Sequence, residues 1–177
     1  MTLLILLLII VAIPLTGAAF LSTDFIIEKE IIINKPREEV FNYIKYLKNQ
    51  MNFNKWTMTD PNQKTEYTGT DGSVGFVTAW DSTMKNVGKG EQEIIKITEG
   101  ERIDYALRFK KPFENNASAY LTTTSLSNTQ TKVSWAFVGT RNYSNKIFHF
   151  LFNLSKMLGK DLQVSLTNLK NLLEKNS

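Results

Sequence analysis

The sequence predicts an α+β domain. A curved antiparallel sheet of about seven strands wraps around one long C-terminal helix, with a short helix pair after strand 1 and a transmembrane helix at the N-terminus. Three observations predict it. From Thr65 to Gly139 turn residues recur at short intervals, and the segments between them alternate apolar and polar side chains with a period of two. From Ile147 the apolar positions Ile147, Leu151, Leu154, Leu158, Leu162, Leu166, Leu169 and Leu173 step by three and four along one helical stripe. Before Asp24 there is no charged residue, and residues 3–13 are uninterrupted Leu, Ile, Val and Ala.

The first element, residues 1–23, reads as a membrane anchor. About nineteen apolar-rich residues at 1.5 Å each make roughly 28 Å of helix, close to the ~30 Å hydrocarbon core. Pro14 and the small residues Gly17, Ala18 and Ala19 also fit a cleavable signal peptide, which would release a secreted or periplasmic domain. The apolar run continues through Phe20 and Leu21 beyond any such cut, which favours an uncleaved single span. Charge does not fix the side of the membrane: residues 1–23 hold no Lys or Arg, and Lys29, Lys35 and Arg37 follow.

Residues 24–177 form one folded domain. Phe25 to Ile33 reads as a strand with Ile27, Ile31 and Ile33 on one face and Glu28 and Glu30 on the other. Pro36 suits a helix start and Glu38 and Glu39 its positive end, while Val40, Phe41, Ile44 and Leu47 make the buried stripe of a helix ending near Asn49. A brief helical or irregular stretch carries Phe53 and Trp56 to Asp60-Pro61. In the meander, Ile103, Tyr105, Leu107 and Phe109 face one way and Arg102, Asp104, Arg108 and Lys110 the other. Val74, Phe76, Thr78 and Trp80 form one face of another segment, and Val133, Trp135 and Phe137 one face of the last. Consecutive strands need only short turns, so the helix packs into the concave side of one sheet. One helix cannot fill that side, and the remaining space makes a pocket.

Composition excludes several classes of chemistry. With no cysteine there is neither a disulfide framework nor a thiolate zinc site. The single histidine, His149, lies among Phe148, Phe150 and Phe152 and reads as part of an aromatic cluster, so multi-histidine metal sites are out. No cofactor and no metal are expected. The net charge of +4 comes from alternating signs without a concentrated basic face, which argues against nucleic acid. Gly88 and Gly90 lack the Lys-Ser/Thr ending of a phosphate loop.

The aromatic residues Trp56, Phe76, Trp80, Tyr105, Phe109, Tyr120, Trp135 and Phe150 are the candidate cavity wall, each of them also a candidate for plain core packing. Among ionisable groups, Asp81, Glu91, Glu93 and Arg141 are candidates for the pocket mouth. Glu91 and Glu93 share a strand face with Lys89, so a salt-bridged outer surface is the better reading than a buried acid/base pair.

Several stretches together carry a family resemblance. They are Ile33 to Phe41 (Ile-Asn-Lys-Pro-Arg-Glu-Glu-Val-Phe), Phe53 to Trp56 with Asp60-Pro61, Gly72 to Gly75, Gly88 to Ile94, Val133 to Trp135, and Leu158 to Leu162 leading to Leu169-Lys170. As a set they resemble the SRPBCC, or START-like helix-grip, superfamily, and most of all its bacterial polyketide cyclase/dehydrase and lipid-transport type. The resemblance implies a helix-grip fold with a hydrophobic cavity between sheet and helix. It does not imply a reaction, because the superfamily spans hydrolases, cyclases and carriers. The leading expectation is a membrane-tethered protein binding a hydrophobic small molecule, a lipid, quinone or polyketide-like compound, without covalent chemistry. The alternatives are a cyclase, dehydratase or hydrolase using Asp81, Glu91, Glu93 or Tyr105, and an interaction module for a membrane partner with an apolar patch on the outer sheet face.

Overall fold

A computed structural model describes residues 12, 16–17, 20, 22–140, 146 and 153–175. Seven strands form one antiparallel sheet: β1 (Asp24–Ile33), β2 (Lys64–Thr68), β3 (Val77–Asp81), β4 (Lys89–Thr98), β5 (Arg102–Lys111), β6 (Asn115–Ser127) and β7 (Gln130–Thr140). Their order across the sheet is β1-β7-β6-β5-β4-β3-β2, so every pair from β2 to β7 is a simple neighbour and only β1 returns to the far edge. Between β1 and β2 lie α1 (Arg37–Ile44), a 3-10 helix (Leu47–Asn52) and the short α2 (Lys55–Thr59). The long helix α3 (Leu154–Lys175) follows β7 and packs against β1.

The alternation of the sequence becomes the two sides of this sheet. Ile103, Tyr105 and Leu107 of β5, Leu121 of β6, and Val133 and Trp135 of β7 point to the concave side and are buried. On α3 the buried positions are Gly159, Asp161, Leu162, Ser165, Leu166, Leu169 and Leu173, the apolar stripe with three small or polar residues inside it. Gly159 is where the helix crosses β1: a Cβ there would stand 3.1 Å from the Lys29 Cε and 3.5 Å from the Ile27 Cγ2. The convex side carries ion pairs instead. Arg108 bonds Glu91 at 3.0 Å and also Glu93, and Arg102 holds Asp104 at 2.7 Å.

The helix expected to reach Asn49 stops at Ile44, because the backbone turns extended at Tyr46. The new start at Leu47 is held from a distance in sequence: the Asp71 carboxylate accepts from Leu47 N at 2.8 Å and Lys48 N at 3.2 Å. This is a helix cap supplied by a loop 23 and 24 residues away, so one long helix becomes two short pieces.

The transmembrane helix belongs to the fold class no longer. Among the described residues no helix is long and apolar enough to cross a membrane. Of the expected span only residues 12, 16, 17 and 20 are described, and the rest of 3–21 lies outside the described residues. Near its end Phe20 N bonds Gly17 O at 3.3 Å. The start of the helical stripe, Ile147 and Leu151, and His149 and Arg141 also lie outside the described residues.

Candidate functional site

Register defines what the concave side offers. Tyr67, Thr78, Gln92 and Leu107 are successive cross-strand partners, making one inward row from β2 to β5. The next row is Thr65, Trp80, Gly90 and Phe109. Gly90 has no side chain for a reason: a Cβ there would lie 2.7 Å from the Trp80 indole and 2.7 Å from Arg108 O. Its absence lets the indole lie across β4 and meet Phe109 edge-on, with ring centroids 6.0 Å apart. Trp80 Nε1 donates to Val87 O at 3.3 Å, which fixes the ring plane. A third row runs Ile94, Tyr105, Ala119, Phe137 and Ile27, and its small central member leaves the sheet thin in the middle.

The first two rows, Ala119 and Phe137 of the third, the inner faces of α2 and the 3-10 helix, and the N-terminal half of α3 border a cavity of about 1020 Å³. That is the size of a ligand pocket for a drug-sized guest. The chain has three tryptophans, and all of them, Trp56, Trp80 and Trp135, line it. Trp56 and Trp135 meet edge-on at 6.4 Å, and Phe53 packs on Trp135 from behind at 5.9 Å. Leu158 and Leu162 of α3 close the roof. A second, smaller groove of about 580 Å³ runs between β1 and α3, but it is open and bordered by Glu28, Lys29, Lys156 and Lys160, a poor place for an apolar guest.

Of the eight aromatic candidates, Trp56, Trp80, Phe109 and Trp135 border the cavity. Phe76 and Tyr105 lie beneath the wall: both are buried, and Phe76 stacks on Tyr67 at 6.0 Å. Gly75, at φ +88°, breaks the expected alternation, so Val74 is exposed while Phe76 turns into the core. Tyr120 is on the opposite side. It alternates with the inward Ala119 and Leu121 and lies on the convex face under the Arg102 guanidinium, 3.8 Å from its ring centroid. Phe150 lies outside the described residues.

The candidate acids are not in the cavity. Glu91 and Glu93 face outward to Arg108, and Lys110 reaches Glu91 at 3.4 Å. Asp81 closes the end of β3 with Lys89 at 2.5 Å, and this hydrogen bond holds its carboxyl below the ordinary range. Tyr105 is fully buried, and burial raises its phenol far above the usual value. Its hydroxyl has no hydrogen-bond partner, although Gln50 stands beside it.

That orphaned hydroxyl makes a prediction. Tyr105→Phe removes an unsatisfied buried group, so stability to urea is expected to hold or rise by up to about 1 kcal/mol. The sign with pH follows from the raised phenol: the unfolded chain loses this proton above pH 10.0 while the folded chain keeps it, so stability is intact below that pH and falls above it. The variant should lack that part of the alkaline loss. A cost above about 1 kcal/mol would mean the hydroxyl is bonded to Gln50.

The one carboxylate that is both buried and on the cavity wall with a partner is Asp161 of α3, paired with Lys55 of α2. It had a signal in the sequence. Position 161 is three residues after Leu158 and four before Ser165, inside the apolar stripe, where a charge demands a partner. Lys55 N is fixed in turn by Ser165 Oγ at 2.9 Å. Among the described residues no cluster of His, Cys, Asp and Glu has the makings of a metal site.

A seven-stranded sheet gripping one long helix around a tryptophan-lined cavity is the helix-grip fold. The chain belongs to the polyketide cyclase/dehydrase and lipid transport family, whose profile matches residues 24–174. No curated protein sequence matches it. Solved structures share the fold at low identity. A Mesorhizobium loti protein superposes with a TM-score of 0.63 at 14% identity, covering 86% of this chain and 99% of that one. The Aha1 protein of Colwellia psychrerythraea gives 0.56 at 16%, over 85% and 96%. The di-domain aromatase/cyclase StfQ of the steffimycin biosynthetic pathway gives 0.61 at 13%, over 87% of this chain and 51% of that one. Family and cavity together define a protein that binds or cyclises a hydrophobic small molecule.

Proposed function

We propose that the protein binds a lipid-, quinone- or polyketide-like molecule in the cavity between sheet and α3 and does no covalent chemistry on it. The observation that carries this reading is the cavity itself, about 1020 Å³ with all three tryptophans on its wall and the expected acid/base groups turned away from it. Tyr105 cannot serve as a base, being buried beneath the wall with its proton held tightly.

Native mass spectrometry of the full chain, purified gently from its cells, is expected to show an added mass that denaturation releases. A spectrum of bare protein under conditions that preserve the fold would count against it.

One observation favours a second reading, an enzyme that folds a reactive chain into position. Asp161 reaches the cavity wall with its partner Lys55, a carboxylate and an ammonium that together could move a proton on a bound substrate. The interaction-module reading has less support. On the convex face the exposed Ile26 and Ile32 are separated by Glu28 and Glu30, not gathered into a patch.

A further inference from the structure

Buried side-chain polar atoms are nearly always bonded, so each exception calls for an explanation. Among the described residues four such atoms lack a partner: Gln50 Nε2, Gln63 Oε1, Thr78 Oγ1 and Tyr105 Oη. Three of the four belong to residues that border the cavity. Gln50 is only 3% exposed, its Oε1 accepts from Asn54 Nδ2 at 3.1 Å, and its Nε2 stands beside the Tyr105 hydroxyl, so of its two N–H donors one is left for a guest. Thr78 points inward from the middle of β3, between its cross-strand partners Tyr67 and Gln92, which also border the cavity. Gln63 stands just before β2 on the same side of the sheet.

The uncharged polar groups come from β3, β4, the 3-10 helix and the turn before β2, while Phe109, Ala119, Trp135, Phe137, Leu158 and Leu162 form the apolar part of the opposite wall, which also carries Asp161 and Lys160 of α3. The cavity therefore has two poles. Its polar pole supplies one amide donor, one amide acceptor and one hydroxyl that can do either, and none of the three carries a charge.

We propose that Gln50, Gln63 and Thr78 form a specificity subsite for the uncharged, oxygen-bearing end of an otherwise apolar ligand, one that presents both a carbonyl and a hydroxyl group. The proposal rests on the ligand-binding reading above and adds to it which end of the guest is read, and by what. A carbonyl accepts from Gln50 Nε2. A hydroxyl donates to Gln63 Oε1 or Thr78 Oγ1. A carboxylate is disfavoured at this end, because these three groups bring no cation: of the lysines bordering the cavity, Lys55 is already paired with Asp161, and Lys111 and Lys160 come from β5 and α3.

The test uses three probes on one ring skeleton: fluorene, 2-hydroxyfluorenone and fluorene-9-carboxylate, titrated against the tryptophan emission of the full chain. The hydroxyketone is expected to bind at least about tenfold tighter than fluorene, and the carboxylate weakest of the three. Thr78→Val keeps the side-chain shape and removes the hydroxyl. It is expected to weaken hydroxyfluorenone binding about five- to tenfold relative to that of fluorene, and Gln63→Leu is expected to do the same. If fluorene and the hydroxyketone bind alike, or the carboxylate binds best, the subsite is overturned while the cavity's capacity for apolar guests stands. If none of the three binds, the ligand-binding reading itself fails and the subsite with it.

Discussion

Leu166→Ala is expected to destabilise the domain by about 2–5 kcal/mol, a large share of the 5–15 kcal/mol that holds a typical domain folded. Leu166 is fully buried at the centre of α3, between Leu162 and Leu169 on the stripe that grips the sheet. Removing three carbons there loses their transfer from water and leaves a void beside a space that is already hollow. Met157 on the same helix is half exposed, and Met157→Ala is expected to stay within about 0.5 kcal/mol. Urea unfolding of both variants checks the contrast, and similar losses in the two would mean that α3 is not gripped through this stripe.

Ala119→Leu is expected to abolish binding of bulky apolar guests, by at least about tenfold, at a stability cost under about 1 kcal/mol. In a close-packed interior the same enlargement costs typically 1–3 kcal/mol, because neighbours are forced out of their rotamers. Ala119 lies on the cavity floor between its cross-strand partners Tyr105 and Phe137. The isopropyl group added there enters the cavity and takes the place of the guest. Retained binding together with a loss of 2–3 kcal/mol would show a filled core at this position.

Much of this architecture was legible because each strand of the meander separates a buried face from a charged one. Ile103, Tyr105 and Leu107 against Arg102, Asp104 and Arg108 gives both the strand and its orientation, and the structure keeps that assignment. The same alternation placed Glu91 and Glu93 on the outer face, where Arg108 binds them. Elsewhere the pattern was masked. The size of Tyr120 suggests an inward side chain, although Leu121 beside it marks the inner face; the small Ala119 and polar Thr123 on that face hide the parity. Alternation puts Phe76 in one row with Val74, but Gly75 takes a positive φ that only a glycine adopts easily and shifts the register between them.

What no local pattern could carry was long-range pairing. The break after α1 depends on Asp71 in a distant loop, and the Lys55–Asp161 pair joins two elements 106 residues apart. The unpartnered polar atoms of Gln50, Gln63 and Thr78 are invisible in sequence for the same reason. A glutamine beside a helix end or a threonine in a strand is ordinary until its surroundings show that nothing bonds it.

The space between sheet and α3 is an accessible chamber walled by every tryptophan of the chain. The most direct measurement is a titration of the nitrogen-labelled full chain with fluorenone, followed through its three indole N–H signals in proton–nitrogen correlation spectra. Binding in the chamber predicts that the signals of Trp56, Trp80 and Trp135 all shift together along one saturable curve. Indole signals that stay still while fluorenone perturbs only surface amides would contradict it.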